Sequence, residues 1–150
     1  MAIADLVLTL RIDLADPESA LFADDVLQRC IHKGVYRLAR DLEISLSVVG
    51  DEVVPDPEGE TRELLLLLGQ IHACQVMRAT TANTFSFSSG DKRVDKTKQP
   101  EHWAKLEDDL KALYKLRLSE IKPGAAASPE DYIISPSDMK PVIYEQGGDL

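Results

Sequence analysis

Five consecutive leucines, Leu64 to Leu68, sit in the middle of a 150-residue chain. No other feature constrains the fold as strongly. Five adjacent residues on a helix point in five directions, so Leu64, Leu67, Leu68, Ile71 and Cys74 make one face while Leu65, Leu66, Val76 and Met77 lie on others. Burying one leucine contributes roughly 1.5–3 kcal/mol, so a helix apolar nearly all round is either central in a core or shared between subunits. A domain this small has few elements with which to surround it. The pattern therefore points to Leu64, Leu65, Leu66, Leu68 and Met77 as an oligomer-core surface, with a central helix of a self-sufficient chain as the other reading. The helix is predicted from Thr61, a candidate N-cap, to about Asn83.

Around that helix the periodicity predicts a mainly α chain, a small bundle of about four helices. Leu6, Leu10 and Leu14 are spaced by four in residues 3–14, and Asp16-Pro17 breaks the pattern. Leu27, Ile31, Val35, Leu38 and Leu42 mark a second helix over about 23–42, with Asp24 and Asp25 at its positive end and Arg37 and Arg40 near its negative end. Ile44, Leu46 and Val48 alternate with serines, which predicts a strand, a turn at Gly50-Asp51 and a short return at Val53-Val54. Trp103, Leu106, Leu110, Leu113, Tyr114 and Leu118 mark a last helix over about 100–121. Its pairs Glu101/Lys105 and Glu107/Lys111 are expected on the solvent side, each worth only a few tenths of a kcal/mol.

Two stretches fall outside the helical pattern. Residues 84–98 alternate Phe85 and Phe87 with serines, pass Gly90-Asp91, and carry Lys92, Arg93, Lys96 and Lys98. This reads as a projecting extended loop or hairpin, able to touch phosphate weakly or to meet an acidic surface on a neighbouring copy. Residues 123–150 read as an extended C-terminal arm beyond a helical domain of 1–122. Its two apolar patches, Tyr132-Ile133-Ile134 and Val142-Ile143-Tyr144, would be wasted in water and are expected to dock, with a sheet edge as one available mode.

Charge and composition exclude several classes. The net charge is −9, divided as −8 over residues 1–60, +3 over 61–122 and −4 over 123–150. A middle of opposite sign to both flanks suits a protein that packs against copies of itself or a polar partner. So acidic a chain is not expected to grip nucleic acid over its whole surface. A hydrophobic fraction of 44% is too high for general disorder. No apolar run approaches the ~20 residues of a membrane span, and the start of the chain lacks the features of a signal peptide. Cys30 and Cys74 read as small buried apolar groups. His32, His72 and His102 are isolated, and lone glycines make no phosphate-cradling loop. No arrangement of nucleophile, base and oxyanion donors emerges, so no catalytic residue, metal or cofactor is expected and the reading is non-enzymatic.

The stretch from Thr84 through Phe85-Ser-Phe87-Ser-Ser-Gly90-Asp91-Lys92-Arg93-Val-Asp-Lys96 to Trp103 and Tyr114 resembles the head-to-tail connector (adaptor, neck) proteins of tailed bacteriophages. Arg11-Ile-Asp-Leu-Ala-Asp-Pro and Phe22-Ala-Asp-Asp-Val-Leu resemble the entry and second helix of the same family, and the likeness covers about residues 5–120. The resemblance implies a small helical bundle with an extended loop, twelve copies of which form a ring beneath the portal with DNA passing through the centre. It implies a virion protein made in the host cytoplasm. Its partners would be further copies of itself, the portal protein, and an adjacent neck or tail-completion protein. DNA would be a transient, sequence-independent contact, and no membrane would be involved. The arm would reach the portal or the adjacent neck component. The competing reading is a small acidic helical module that binds and regulates a host protein.

A chain lacking residues 123–150 is expected to keep a folded core and lose portal docking. Thermal denaturation checks the first half: a truncated chain melting far below the full one overturns it.

Overall fold

The computed structural model describes residues 1–85 and 99–123, with side chains through Ala82 and from Gln99 onward. Its elements are α1 (Ile3–Asp13), α2 (Asp24–Leu42), β1 (Ser47–Val49), β2 (Glu52–Val54), α3 (Gly59–Phe85) and α4 (Gln99–Ile121). The chain is thus mainly helical, a small helical bundle, with one antiparallel two-stranded hairpin among the described residues. Of the expected loop at 84–98 and the expected arm at 123–150, residues 86–98 and 124–150 lie outside the described residues.

The leucine run decides the arrangement. α2 and α4 pack along α3, and α1 closes a further side against both α2 and α3. Leu64, Leu65 and Leu68 are completely buried, and Leu66 and Leu67 are 2% and 4% exposed. The oligomer-core assignment of Leu64, Leu65, Leu66 and Leu68 is therefore corrected: one chain already surrounds them. Three helices approaching one cylinder from different sides supply the cover that a lone neighbour could not. Met77 is half-buried at the margin of the same core.

Close approach depends on two glycines. A Cβ on Gly34 of α2 would stand 3.1 Å from Leu65 Cδ1 and 3.4 Å from Leu68 Cβ. A Cβ on Gly69 of α3 would stand 3.1 Å from Leu10 Cδ2 and 3.3 Å from Ile31 Cδ1. The first position seats α2 on α3, and the second seats α1 where α2 and α3 meet.

Several predicted boundaries shift for identifiable reasons. The strand begins at Ser47, not Ile44. Glu43 adopts a left-handed conformation (φ 55°), and Ile44 N–H turns back to Ala39 O to close α2. Ile44 thus serves the helix cap, and only the later residues join the ladder. Thr61 lies inside α3 rather than capping it, because the helix already starts at Gly59 and Thr61 N–H bonds Glu58 O. α3 also runs to Phe85, so the predicted extended segment starts with two helical residues. On α4 the inward face holds Tyr114, Leu118 and Glu107, while Leu106 and Leu113 are 41% and 39% exposed.

The hairpin pairs Ser47 with Val54, Val48 with Val53 and Val49 with Glu52. Ala2 bridges to Glu52, and Ile3 N–H bonds Asp51 O, so the start of α1 is tied to the turn of the hairpin.

Gly34→Val forces three carbons into the α2–α3 contact and is expected to cost about 1–3 kcal/mol, read as a lower urea midpoint. An unchanged midpoint would show that the two helices do not meet at this glycine.

Candidate functional site

Glu107 is 1% exposed on the inner face of α4. Its Oε2 accepts from Arg78 Nη1 at 2.5 Å, and its Oε1 accepts from Lys111 Nζ at 2.6 Å and Gln75 Nε2 at 3.1 Å. Burial alone would push this carboxyl up. The bonds from Lys111, Arg78 and Gln75 outweigh it and bring the group down to about 2. The expected solvent-side pair Glu107/Lys111 is thus an inward cluster joining α3 to α4. The i,i+4 spacing was legible, but the side of the helix was not. A carboxylate among Trp103, Leu110 and Tyr114 breaks an apolar stripe, and Arg78 and Gln75 on α3 with Lys111 on α4 itself explain it.

The network extends one step. Gln75 spends its amide N–H on Glu107, so its Oε1 is left to accept from His72 Nδ1, 3.2 Å away. This fixes the proton on Nδ1 and leaves Nε2 as a buried acceptor without a partner. Burial lowers the His72 pKa, so the ring is neutral at pH 7. A cleft of about 330 Å³ lies beside it between α2 and α3, with Cys30 and Lys33 in its wall. Burial pushes the thiols of Cys30 and Cys74 up to about 11, which leaves both unreactive as nucleophiles at neutral pH.

A second polar cluster forms the α1–α2 connection. Arg11, 3% exposed, donates to Asp16 Oδ2 (3.2 Å), Phe22 O (2.9 Å) and Asp24 Oδ1 (2.5 Å). Asp16 accepts backbone N–H groups from Ala20, Leu21 and Phe22. Burial raises the Asp16 carboxyl, but those three N–H groups and then Arg11 hold it below its ordinary value. The cluster folds the loop so that Phe22 enters the core, edge-on to Trp103 at 6.3 Å. The two sequence fragments around Arg11 and Phe22 therefore form one structural unit. On the far side, Tyr114 donates to Asp41 Oδ2 at 2.8 Å, with Arg37 stacked 5.1 Å above its ring.

These clusters join the helices and shape the connection between α1 and α2. Among the described residues no group of three His, Cys, Asp or Glu is placed to hold a metal ion. No helix among them is long and apolar enough to cross a membrane. Apolar surface is also left uncovered on the outside of the bundle. Leu8 and Ile12 on α1 are 62% and 72% exposed, and Leu106, Leu113 and Leu116 on α4 add a second outward patch. Between α1 and α4, over α3, lies a groove of about 250 Å³ walled by Asp13, Glu63 and Arg117. At the opposite end of α3 and α4, Ala79, Ala82 and Ala104 line an open cleft of about 510 Å³.

Of the expected site residues, Phe87, Lys92, Arg93, Lys96 and Lys98 lie outside the described residues, as does the Phe85 side chain at the end of α3. Tyr132, Ile133, Ile134, Val142, Ile143 and Tyr144 also lie outside them. The sequence missed Leu8, Ile12 and Leu116 as exposed candidates. The signal was present, since Leu8 and Ile12 stand off the Leu6–Leu10–Leu14 stripe.

No family model, curated protein or solved structure matches the chain.

Glu107→Gln is expected to destabilise the fold by about 1–3 kcal/mol at pH 7, because Arg78 and Lys111 lose their buried acceptor. The wild-type carboxylate, held low in the fold, favours folding above its unfolded value of about 4.3, and that contribution is lost as pH falls towards about 2. Urea titrations across that window are expected to show a steeper acid loss for the wild type than for Glu107→Gln. Parallel curves would contradict the assignment.

Proposed function

We propose that this protein is a structural head-to-tail connector of a tailed bacteriophage, a non-catalytic subunit that closes into a ring between portal and tail. The observation that carries the reading is apolar surface left uncovered on two different helices, Leu8 and Ile12 on α1 and Leu106, Leu113 and Leu116 on α4, each packed on α3. A closed ring of identical subunits uses two different, complementary faces on each protomer, and two such patches supply them. The likeness of residues 84–115 and of the Arg11 and Phe22 fragments to connector proteins supports the same reading. The core helix is not part of the argument, since its leucines are already covered.

In this reading DNA slides through a lumen that does not hold it, so the lumen wall carries exposed carboxylates. Asp25, Asp108 and Asp109 are the candidates on α2 and α4, being exposed. Glu107 is excluded because it is buried and paired, and Asp24 because Arg11 holds it. The basic segment 92–98 meets an acidic neighbour, and the C-terminal arm reaches the portal or an adjacent neck protein. Twelve copies are the number the family likeness implies.

Native mass spectrometry of the chain mixed with portal protein from the same virus tests this. A portal-bound ring of identical copies is expected. The double variant Ile12→Glu with Leu113→Glu is expected to keep the circular dichroism of a folded helical chain and lose the ring. No portal complex, or a stable one-to-one complex with a host protein and no ring, overturns the proposal.

A further inference from the structure

The four cations of α2, Arg29, Lys33, Arg37 and Arg40, are not used alike. Arg37 Nε and Arg40 Nε stand 3.5 Å and 3.4 Å from the Asp41 carboxylate. Arg29 and Lys33 are exposed, and neither meets a carboxylate within ion-pair distance among the described residues. Both line the cleft of about 330 Å³ between α2 and α3. Four residues apart on one helix, they lie side by side. Asp25, one turn earlier, lines the same cleft. Two positive charges and one negative leave this rim at +1, on a chain whose net charge is −9.

The rest of the cleft wall carries no charge. Val26 and Cys30 come from α2, and Val76 and His72 from α3. Burial keeps Cys30 a protonated thiol, so it adds apolar contact. Burial is also the main reason His72 is neutral; Lys33 and Arg37 push the same way, against Gln75 and Glu107. The volume lies at the lower end of the range for small-molecule pockets, which join apolar walls to a few fixed polar groups. An inorganic anion would pair with the rim and leave the apolar walls uncovered. A neutral hydrocarbon would cover the walls and leave the cations unpaired. A single carboxylate on a compact apolar body answers both, and its one negative charge matches the rim. The planar guanidinium of Arg29 suits a carboxylate, which it can hold through two parallel bonds.

We propose that this cleft is a binding site for a small organic monocarboxylate, with the carboxylate between Arg29 and Lys33 and the apolar body against Val26, Cys30 and Val76. The residues that line it are separate from the apolar patches on α1 and α4 assigned to ring contacts, so the site stands whether or not the chain closes into a ring. Arg29 and Lys33 set the sign of the charge that is bound, and the uncharged walls set the need for an apolar body.

Heteronuclear NMR titrations of the full chain test the site, with octanoate and benzoate as probes and octanol and benzyl alcohol as their uncharged counterparts. Saturable shifts at Val26, His72 and Val76 are expected with at least one of the two acids, with a Kd on the order of millimolar for ligands of this size. Arg29→Gln combined with Lys33→Gln changes two exposed side chains that bond nothing else in the described fold. The double variant is expected to keep its thermal midpoint and to bind the acid about tenfold more weakly or worse. Absence of saturable shifts at the cleft with both acids, at about ten times that concentration, overturns the proposal. Equal affinity in the wild type and the double variant overturns it too, as does an alcohol that binds as tightly as its acid.

Discussion

Everything in this fold depends on covering one helix. α3 is apolar on nearly every side, and a single uncovered leucine would expose an area worth roughly 1.5–3 kcal/mol of burial. α2 and α4 press on α3 from two directions and α1 from a third. The glycines at 34 and 69 matter because they let backbone approach where a side chain would hold it off. The cover is complete along Leu64–Leu68, and among the described residues much of the remaining apolar exposure lies on the backs of the covering helices, with the rest on the hairpin and the loops beside it. The inner and outer surfaces therefore answer different questions: one makes the subunit, and the other is left for whatever the subunit meets.

Helix existence and order were legible because Leu27, Ile31, Val35 and Leu38, and likewise Tyr114 and Leu118, recur at the helical period with strong contrast. The error lay in treating the breadth of the leucine face as a sign of a partner. Sequence shows how many directions are apolar, but not how many neighbours the chain can bring to one cylinder. The side of α4 that faces inward was blurred for a related reason. Leu106 and Leu113 compete with Glu107 for the same stripe, and the winner is set by Arg78 and Gln75, about thirty residues away on another helix. Long-range pairing of that kind leaves no periodic trace. Caps were similarly hidden: Ile44 alternates like a strand residue but completes the closing turn of α2.

The polar clusters act as fasteners at the joints of the bundle. Glu107 ties α4 to α3, Tyr114 and Asp41 tie α4 to α2, and Arg11 with Asp16 shapes the α1–α2 connection. Each buried carboxylate has several donors, which is the condition under which a charge is tolerated inside a fold. His72 is one exception among the described residues, with one nitrogen bonded and the other without a hydrogen-bond partner, as are Arg37 Nε and Arg62 Nε, and it borders a cleft rather than the core centre. Its neutral state follows from burial, so it adds no charge to a surface already rich in cations from Lys33 and Arg37.

Trp103 is the chain's sole tryptophan, and it stands in the opening turns of α4 with its ring against the edge of Phe22. Phe22 in turn hangs from the backbone that Arg11 and Asp16 organise. One chromophore is thereby wired to the meeting point of the first connection and the last helix. The molecule carries its own optical gauge: a shift in indole emission reports a change in the surroundings of that junction.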